Sequence, residues 1–523
     1  MMTVINPVLR FAPTYTPSPP LQVRSAAQPA PSQPSTRVIL GQDTRIADAD
    51  TYNARGVVAT PGRYAWEQDS TDKLSIALLG GIQAKTNGAR FQGLGAALLG
   101  QLASNGGQNI SQSVFTVSDT LQPGTEALKL QQARLREDPD NGISFKLTTA
   151  SGATVNLVLA SNEKGLAVSA DVQDGQLNEA ELQGLADLAD AFQGAINGLT
   201  EQPPRLQLGS LVNLDPTLFS SLRMSAKFDV QGEKQTFDLN LNDQARSVSL
   251  QGPSGNLQLN LDTRNSALLG STAQRQAAID NYLTQFDAAQ SRGKGDEGLM
   301  NLFKDAFTQL NSVDAKRKPT IELASSLSDG DRALLSGLSD FSASISKAGN
   351  QINPMRPSET DRRFDYNVSQ TTNVSGGGPL NRSVQQDTQA SLKASFHEGL
   401  NPLVDLRLGL DRQSQNYRYH EISDQASSST RLAYNQGKLV EASATQQATR
   451  NERVRTYIDG VLKDDISTPT SVNRSRNLRI LLNEVFQQER AAQRENRASV
   501  LDEALKAQRS NWLLQTDPSK ITA

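Results

Sequence analysis

The sequence predicts an α+β protein in which antiparallel β meanders pack with amphipathic helices, preceded by a disordered N-terminal tail and closed by a long C-terminal helix. Three observations carry that expectation. Apolar and polar residues alternate through much of 143–172 and 224–261, the period of strands with one wet face. Between those runs Leu182, Leu185, Leu188, Phe192 and Ile196 recur three or four residues apart, which aligns them on one helix face. Eight of the 22 prolines fall before Val38, mixed with Ser, Gln, Thr and Ala, a composition that cannot bury a core.

Taken in order, residues 1–36 form the Pro/Ser/Gln-rich tail and 37–142 a mainly helical and irregular region. In the latter, Leu74, Leu78 and Ile82 share one helical face, and Phe91, Leu94, Leu98 and Leu102 another. The glycines of Gly93-Leu-Gly-Ala-Ala-Leu-Leu-Gly100 do not match a dinucleotide loop, because the third is displaced and no buried strand precedes them. Small residues for close helix packing account for them.

Residues 143–312 read as the α+β core domain. Strands are expected at 143–148, 154–160, 166–172, 224–230, 236–241, 247–251 and 257–261, with Ser151-Gly152, Gln231-Gly232 and Asn242-Asp243 as turns. Asn178 and Glu181 have the spacing of a capping box at the start of the central helix. Two further helices, 273–289 and 297–310, close this unit.

The stretch 313–358 reads as a helix, with Leu334, Leu338, Phe341 and Ile345 on one side, followed by a linker at 350–358. Residues 359–472 form a polar antiparallel β region in which Phe364, Tyr366 and Val368 alternate, as do Val404, Leu406, Leu408 and Leu410. Long, polar strands leave edges that need a cover or a partner. The last segment, 473–523, carries the C-terminal helix, with one apolar patch around Leu478, Leu482 and Val485 and a second at Leu501, Leu505 and Trp512. The first patch is expected to cover the polar sheet. The second is left for a protein partner or for self-association.

Composition limits the chemistry. The chain has 523 residues, a net charge of -3, 37% apolar and 5% aromatic residues, and no cysteine. Disulfides, thiolate nucleophiles and cysteine metal sites are therefore absent. No basic stripe with interleaved aromatics suggests nucleic acid, and no apolar run has the ~18 residues of a membrane helix. The only imidazoles are His397 and His420. There is no Gly-x-Ser-x-Gly elbow, phosphate loop or zincin pair.

One metal site is worth testing. The turn from Asp171 to Glu181 resembles an EF-hand calcium loop, with Asp171, Asp174, Asn178 and Glu181 as candidate ligands. If Gly175 takes the glycine place, however, Ala170 and Val172 occupy early ligand positions and cannot coordinate through their side chains. A capped helix after a tight turn uses the same residues.

The turn at Asp171, the string Ser247-Val-Ser-Leu-Gln-Gly-Pro-Ser-Gly255 and Gln285-Phe-Asp-Ala-Ala-Gln-Ser-Arg-Gly293 resemble a group of uncharacterised proteins from pseudomonad-type bacteria. The resemblance covers about a third of the chain. It implies a bacterial source and brings no catalytic residue; a dehydrogenase label attached to some members has no support in these motifs. The expectation is a non-enzymatic structural or protein-interaction protein, cytoplasmic by default, with leaderless export and a cell-surface destination as the alternative. An enzyme of unknown type, using a hydrolase-like carboxylate pair, is the competing class. No cofactor is expected apart from the calcium candidate.

Overall fold

The computed structural model describes residues 51–52, 58–59, 63–68, 71–117, 125–312, 327–349, 351–378 and 380–521. The tail expected at 1–36 lies outside them. The chain divides into units 1–61 and 62–523. In the first, β1 (Thr51–Tyr52) and β2 (Val58–Ala59) pair antiparallel.

The second unit is organised by one sheet of fifteen strands. Its first ten strands are β3 (Arg63–Trp66), β4 (Ile110–Val117), β5 (Asn141–Thr149), β6 (Thr154–Ser161) and β7 (Gly165–Gln173), then β8 (Phe219–Val230), β9 (Glu233–Leu241), β10 (Ala245–Gln251), β11 (Asn256–Asp262) and β12 (Asp340–Lys347). A separate hairpin follows, β13 (Gln351–Asn353) with β14 (Arg356–Asp361). The sheet resumes with β15 (Arg363–Gly378), β16 (Asn381–Gly399), β17 (Tyr417–Asn435), β18 (Lys438–Ile458) and β19 (Val461–Asn477). The order across the sheet is β3-β4-β7-β6-β5-β8-β9-β10-β11-β12-β15-β16-β17-β18-β19. Every neighbouring pair is antiparallel.

Helices cover one face. They are α1 (Lys73–Gln83), α2 (Asn87–Phe91), α3 (Leu94–Ser104), α5 (Glu179–Thr200), α6 (Thr272–Gly293), α7 (Glu297–Asn311), α8 (Asp329–Ala333), α9 (Arg479–Arg494) and α10 (Leu501–Lys506). Alternate strand residues such as Phe145, Leu239, Leu259, Ile345, Val368 and Leu392 meet α1, α2, α3, α5, α6 and α7 in one core, while α8, α9 and α10 pack in a second. The helix α4 (Thr125–Glu137) sits on the opposite face, where Leu128 and Leu135 meet Phe115, Val158 and Ala167. Both α4 and β4 arise in a stretch that the sequence left irregular.

The central helix begins as its sequence implies. The Asn178 side chain accepts from the Glu181 N–H at 3.0 Å, and Glu181 returns the bond to the Asn178 N–H at 3.0 Å. Gly95 lets α3 approach α5 closely, since a Cβ there would stand 2.6 Å from Ile196 Cδ1 and 2.9 Å from Phe192 Cδ1.

The expected fold class is corrected in two respects. The two β regions are halves of one predominantly antiparallel sheet, because residues 340–347 form a strand, not a helix, and join β11 to β15. Phe341, Ala343 and Ile345 face the core on every second residue. The single long C-terminal helix is not formed. Residues 473–477 belong to β19, α9 ends at Arg494, and Asn496 has φ of 53°. The buried Glu489 carboxylate accepts from the Val500 N–H at 2.8 Å and the Ser499 hydroxyl at 3.1 Å, which caps α10 and turns it back along α9.

The second apolar patch of that segment is also not free. Leu501, Leu505 and Trp512 pack with Val384, Leu432, Ala444 and Leu482 in a separate core on the helix face, and Leu505 is 0% exposed. Burial of the tip within its own chain removes it as a contact for another copy. Residues 404 and 410 are exposed, while Leu406 and Leu408 pack on tyrosines without forming a strand.

Candidate functional site

The face of the sheet away from the helices carries α4 at one end and the β13–β14 hairpin at the other. Between them lies an open trough of about 620 Å³. Strand pairing aligns its floor in rows. One row runs Gln258, Ser344, Asn367, Ser391, Gln425 and Thr449 across β11, β12, β15, β16, β17 and β18. The next runs Asn260, Ser342, Ser369, Gln389, Ser427 and Gln447 across the same strands.

None of these residues is charged or aromatic, and each is exposed or half-buried. Neighbours in a row stand about 4.8 Å apart, and the two rows about 7 Å apart along the strands. Every Ser or Thr hydroxyl can donate and accept, and every Asn or Gln amide offers two N–H donors and a carbonyl acceptor. Such a floor can hydrogen-bond an extended or flat polar surface. It contains no nucleophile with an adjacent base and no cation for phosphate.

The hairpin end is a different environment. His397 on β16 projects to the open side and is covered by β14, leaving its side chain 2% exposed. Its Nε2 is 3.4 Å from Glu359 Oε2 and its Nδ1 3.4 Å from Asp361 Oδ1, while its backbone N–H donates to Asp361 at 2.8 Å. Glu359, 1% exposed, also accepts from the Tyr417 hydroxyl at 2.6 Å and lies 3.6 Å from Arg455. Asn353 donates to the Tyr417 oxygen at 2.7 Å and to Gln415 at 2.8 Å. The Tyr419 hydroxyl accepts from the Thr360 N–H at 3.1 Å, and Arg356 lies over the Tyr457 ring at 4.1 Å.

Electrostatics fit a charged clasp. Burial acts against charge on His397, but Asp361 and Glu359 outweigh it and hold the imidazole above its ordinary value. Burial likewise opposes ionisation of Glu359, yet the bonds from His397, Tyr417 and Tyr457 and the Arg455 charge leave its carboxyl below the usual range. Asp361 is lowered against its burial by the His397 side chain and backbone N–H. Burial and the Glu359 carboxylate push the Tyr417 phenol up. A cavity of about 450 Å³ lined by Lys294, Asp296, Lys347, Asp361, His397 and Glu398, among others, lies beside the clasp.

His420 sits on the other face, stacked on Phe396 at 4.6 Å and bonded through Nδ1 to Glu452 at 2.8 Å. The two imidazoles are therefore separated by the sheet. Of the calcium candidates, Asn178 and Glu181 are brought together as a helix cap, Asp171 lies at the end of β7 opposite Asn156, and Asp174 occupies the turn with φ of 60°. Burial opposes charge on Glu181, but the Asn178 N–H and bonds from Ser151 and Thr149 hold its carboxyl low. Its charge is committed to the cap and the neighbouring turn. Among the described residues, no group of three or more His, Asp or Glu side chains is arranged to hold a metal ion.

Sequence reasoning missed Glu359 and Asp361, which fell at the boundary between the expected linker and sheet. The alternation Ser358-Glu-Thr-Asp361 gave only the signal of a short polar strand. No helix of the described residues is long and apolar enough to cross a membrane. Comparison with known protein families, curated proteins and solved structures found no match.

Proposed function

We propose that this chain is a non-enzymatic structural or protein-interaction protein whose working surface is the open polar face of the sheet. The carrying observation is the double row of twelve uncharged side chains from Gln258–Thr449 and Asn260–Gln447, set in register across six strands and left open. A partner protein presenting polar backbone or side chains would replace water on these groups without desolvating a charge. Contact of this kind would depend little on salt.

The enzyme alternative would centre on His397, Glu359 and Asp361. Their arrangement favours a structural part, because both ring nitrogens of His397 face carboxylates and its side chain is 2% exposed, which leaves no open position for a reacting group. Tyr417 and the hairpin also cover it.

A photo-crosslinking residue placed at Ser427 in the source cells tests the proposal against the same probe at Asp187, exposed on α5 on the opposite side. The expected result is a discrete crosslinked protein from Ser427 and none from Asp187. No protein adduct at Ser427, or the same adducts from both positions, would overturn it.

A further inference from the structure

We infer that β19 is an edge through which two copies of this chain pair, antiparallel, about a two-fold axis at Pro469. The inference stands on the edge alone and does not depend on what the open face binds.

Among the described residues, β19 ends the sheet and pairs only with β18. It is 17 residues long, and its side chains are exposed apart from two half-buried positions, Val472 and Arg476, with Val461, Leu462 and Ile466 among the exposed apolar groups. A long exposed edge presents unpaired backbone groups to any complementary strand. Pro469 is its middle residue, and the sequence around it, Ile466-Ser-Thr-Pro-Thr-Ser-Val472, reads nearly the same in both directions. Antiparallel pairing about Pro469 sets Thr468 opposite Thr470 of the second copy, Ser467 opposite Ser471, and Ile466 opposite Val472.

Charge continues the match. Two positions further out, Asp464 meets Arg474 of the second copy, and the symmetry repeats the contact on the other side. Asp464, Ile466, Val472 and Arg474 have the parity that places their side chains on the helix side of the sheet, so opposed residues share a face. Asp465 is already bound to Arg453 at 2.7 Å, whereas among the described residues neither Asp464 nor Arg474 has an ion-pair partner within the chain. Opposite charges facing one another across strands favour this register.

Proline at the axis sets the strength of the contact. The Asn451 N–H donates to the Asp424 carboxylate on β17 at 3.2 Å, so the backbone of Asn451 faces β17. Pro469 is the cross-strand partner of Asn451 and must turn its nitrogen toward the free edge. A pair centred there lacks its two axial N–H bonds but keeps those of Ser467 and Ser471. Pairing is thereby reversible and limited to a defined register, in place of open-ended aggregation.

Sedimentation velocity on the full chain over a concentration series tests this, with native mass spectrometry of mixtures and circular dichroism as a check on folding. The wild type should move from one to two chain masses. Asp464→Arg and Arg474→Asp, both exposed substitutions, should each lower dimerisation by about tenfold, since each sets like charges opposite one another twice. Mixing the two variants should restore a dimer containing one copy of each, because every Arg then faces an Asp. Pro469→Thr, which supplies the axial donors, should tighten the dimer by about tenfold or more. A wild type that stays monomeric would overturn the inference. So would a dimer indifferent to the single charge changes, a mixture that does not recover, or a Pro469→Thr dimer no tighter than wild type.

Discussion

Replacing Glu359 by Gln would show how the hairpin is held over the polar face. The substitution keeps the shape and removes a charge that is 3.4 Å from His397 and 3.6 Å from Arg455 at a site 1% exposed. Breaking a buried ion pair by removing one member costs about 3–5 kcal/mol. Asp361 still faces His397, and the Gln carbonyl still accepts from Tyr417, so the expected loss is smaller, about 2–3 kcal/mol. If the hairpin opens locally, that corresponds to roughly 30- to 140-fold lower hydrogen-exchange protection for the protected amides of residues 351–361. Protection in α5, which does not touch the clasp, should not change.

The pH dependence has a definite sign. His397 is raised in the fold, so its contribution is fully present below the unfolded value of about 6.5 and is lost as pH rises through the folded value. Glu359 and Asp361 are lowered, so theirs are present above about pH 4.3 and 3.9 and are lost as pH falls through the folded values. Hairpin protection should therefore be greatest between about pH 4.5 and 6.5 and should decline on the alkaline side. In Glu359→Gln that decline should be shallower. Unchanged protection in the variant, or wild-type protection that rises from neutral to alkaline pH, would refute the charged clasp.

Asn178→Ala removes the acceptor for the Glu181 N–H and should lower stability by about 1 kcal/mol in denaturant unfolding. Leu505→Ala should cost about 2–5 kcal/mol by the same measurement, because the side chain is fully buried, and should leave the mass of the native particle unchanged. Gly165→Ala would put a Cβ 2.5 Å from Phe115 Cε1 and 2.9 Å from Leu135 Cδ2. It should loosen α4 from the open face, read as faster proteolysis within 125–137, with α5 unaffected.

Local chemistry determined much of the secondary structure. The alternation in 143–172 and 224–261 and the Asn178–Glu181 cap could be read directly because each depends on neighbours within a few residues. The absence of cysteine likewise decided which chemistries the chain lacks. The helix expected through Phe341 and Ile345 shows where local reading is ambiguous. A spacing of four brings residues to one side of a helix and, being even, also to one side of a strand. Pairing with β11 and β15, distant in sequence, resolved the ambiguity in favour of the strand.

The candidate surfaces depended still more on distance. Gln258 and Thr449 enter one row only because intervening strands pair in one register, and a shift of one residue would turn each side chain to the other face. Glu359 meets His397, Tyr417 and Arg455 because β14 folds over β16, β17 and β18. Likewise, Leu501, Leu505 and Trp512 look like an available apolar patch until Glu489 turns α10 back against the sheet. The sequence determined which residues could form strands, caps and apolar faces; only the tertiary structure decided which faces remained open, because that choice depends on contacts between residues far apart in the chain.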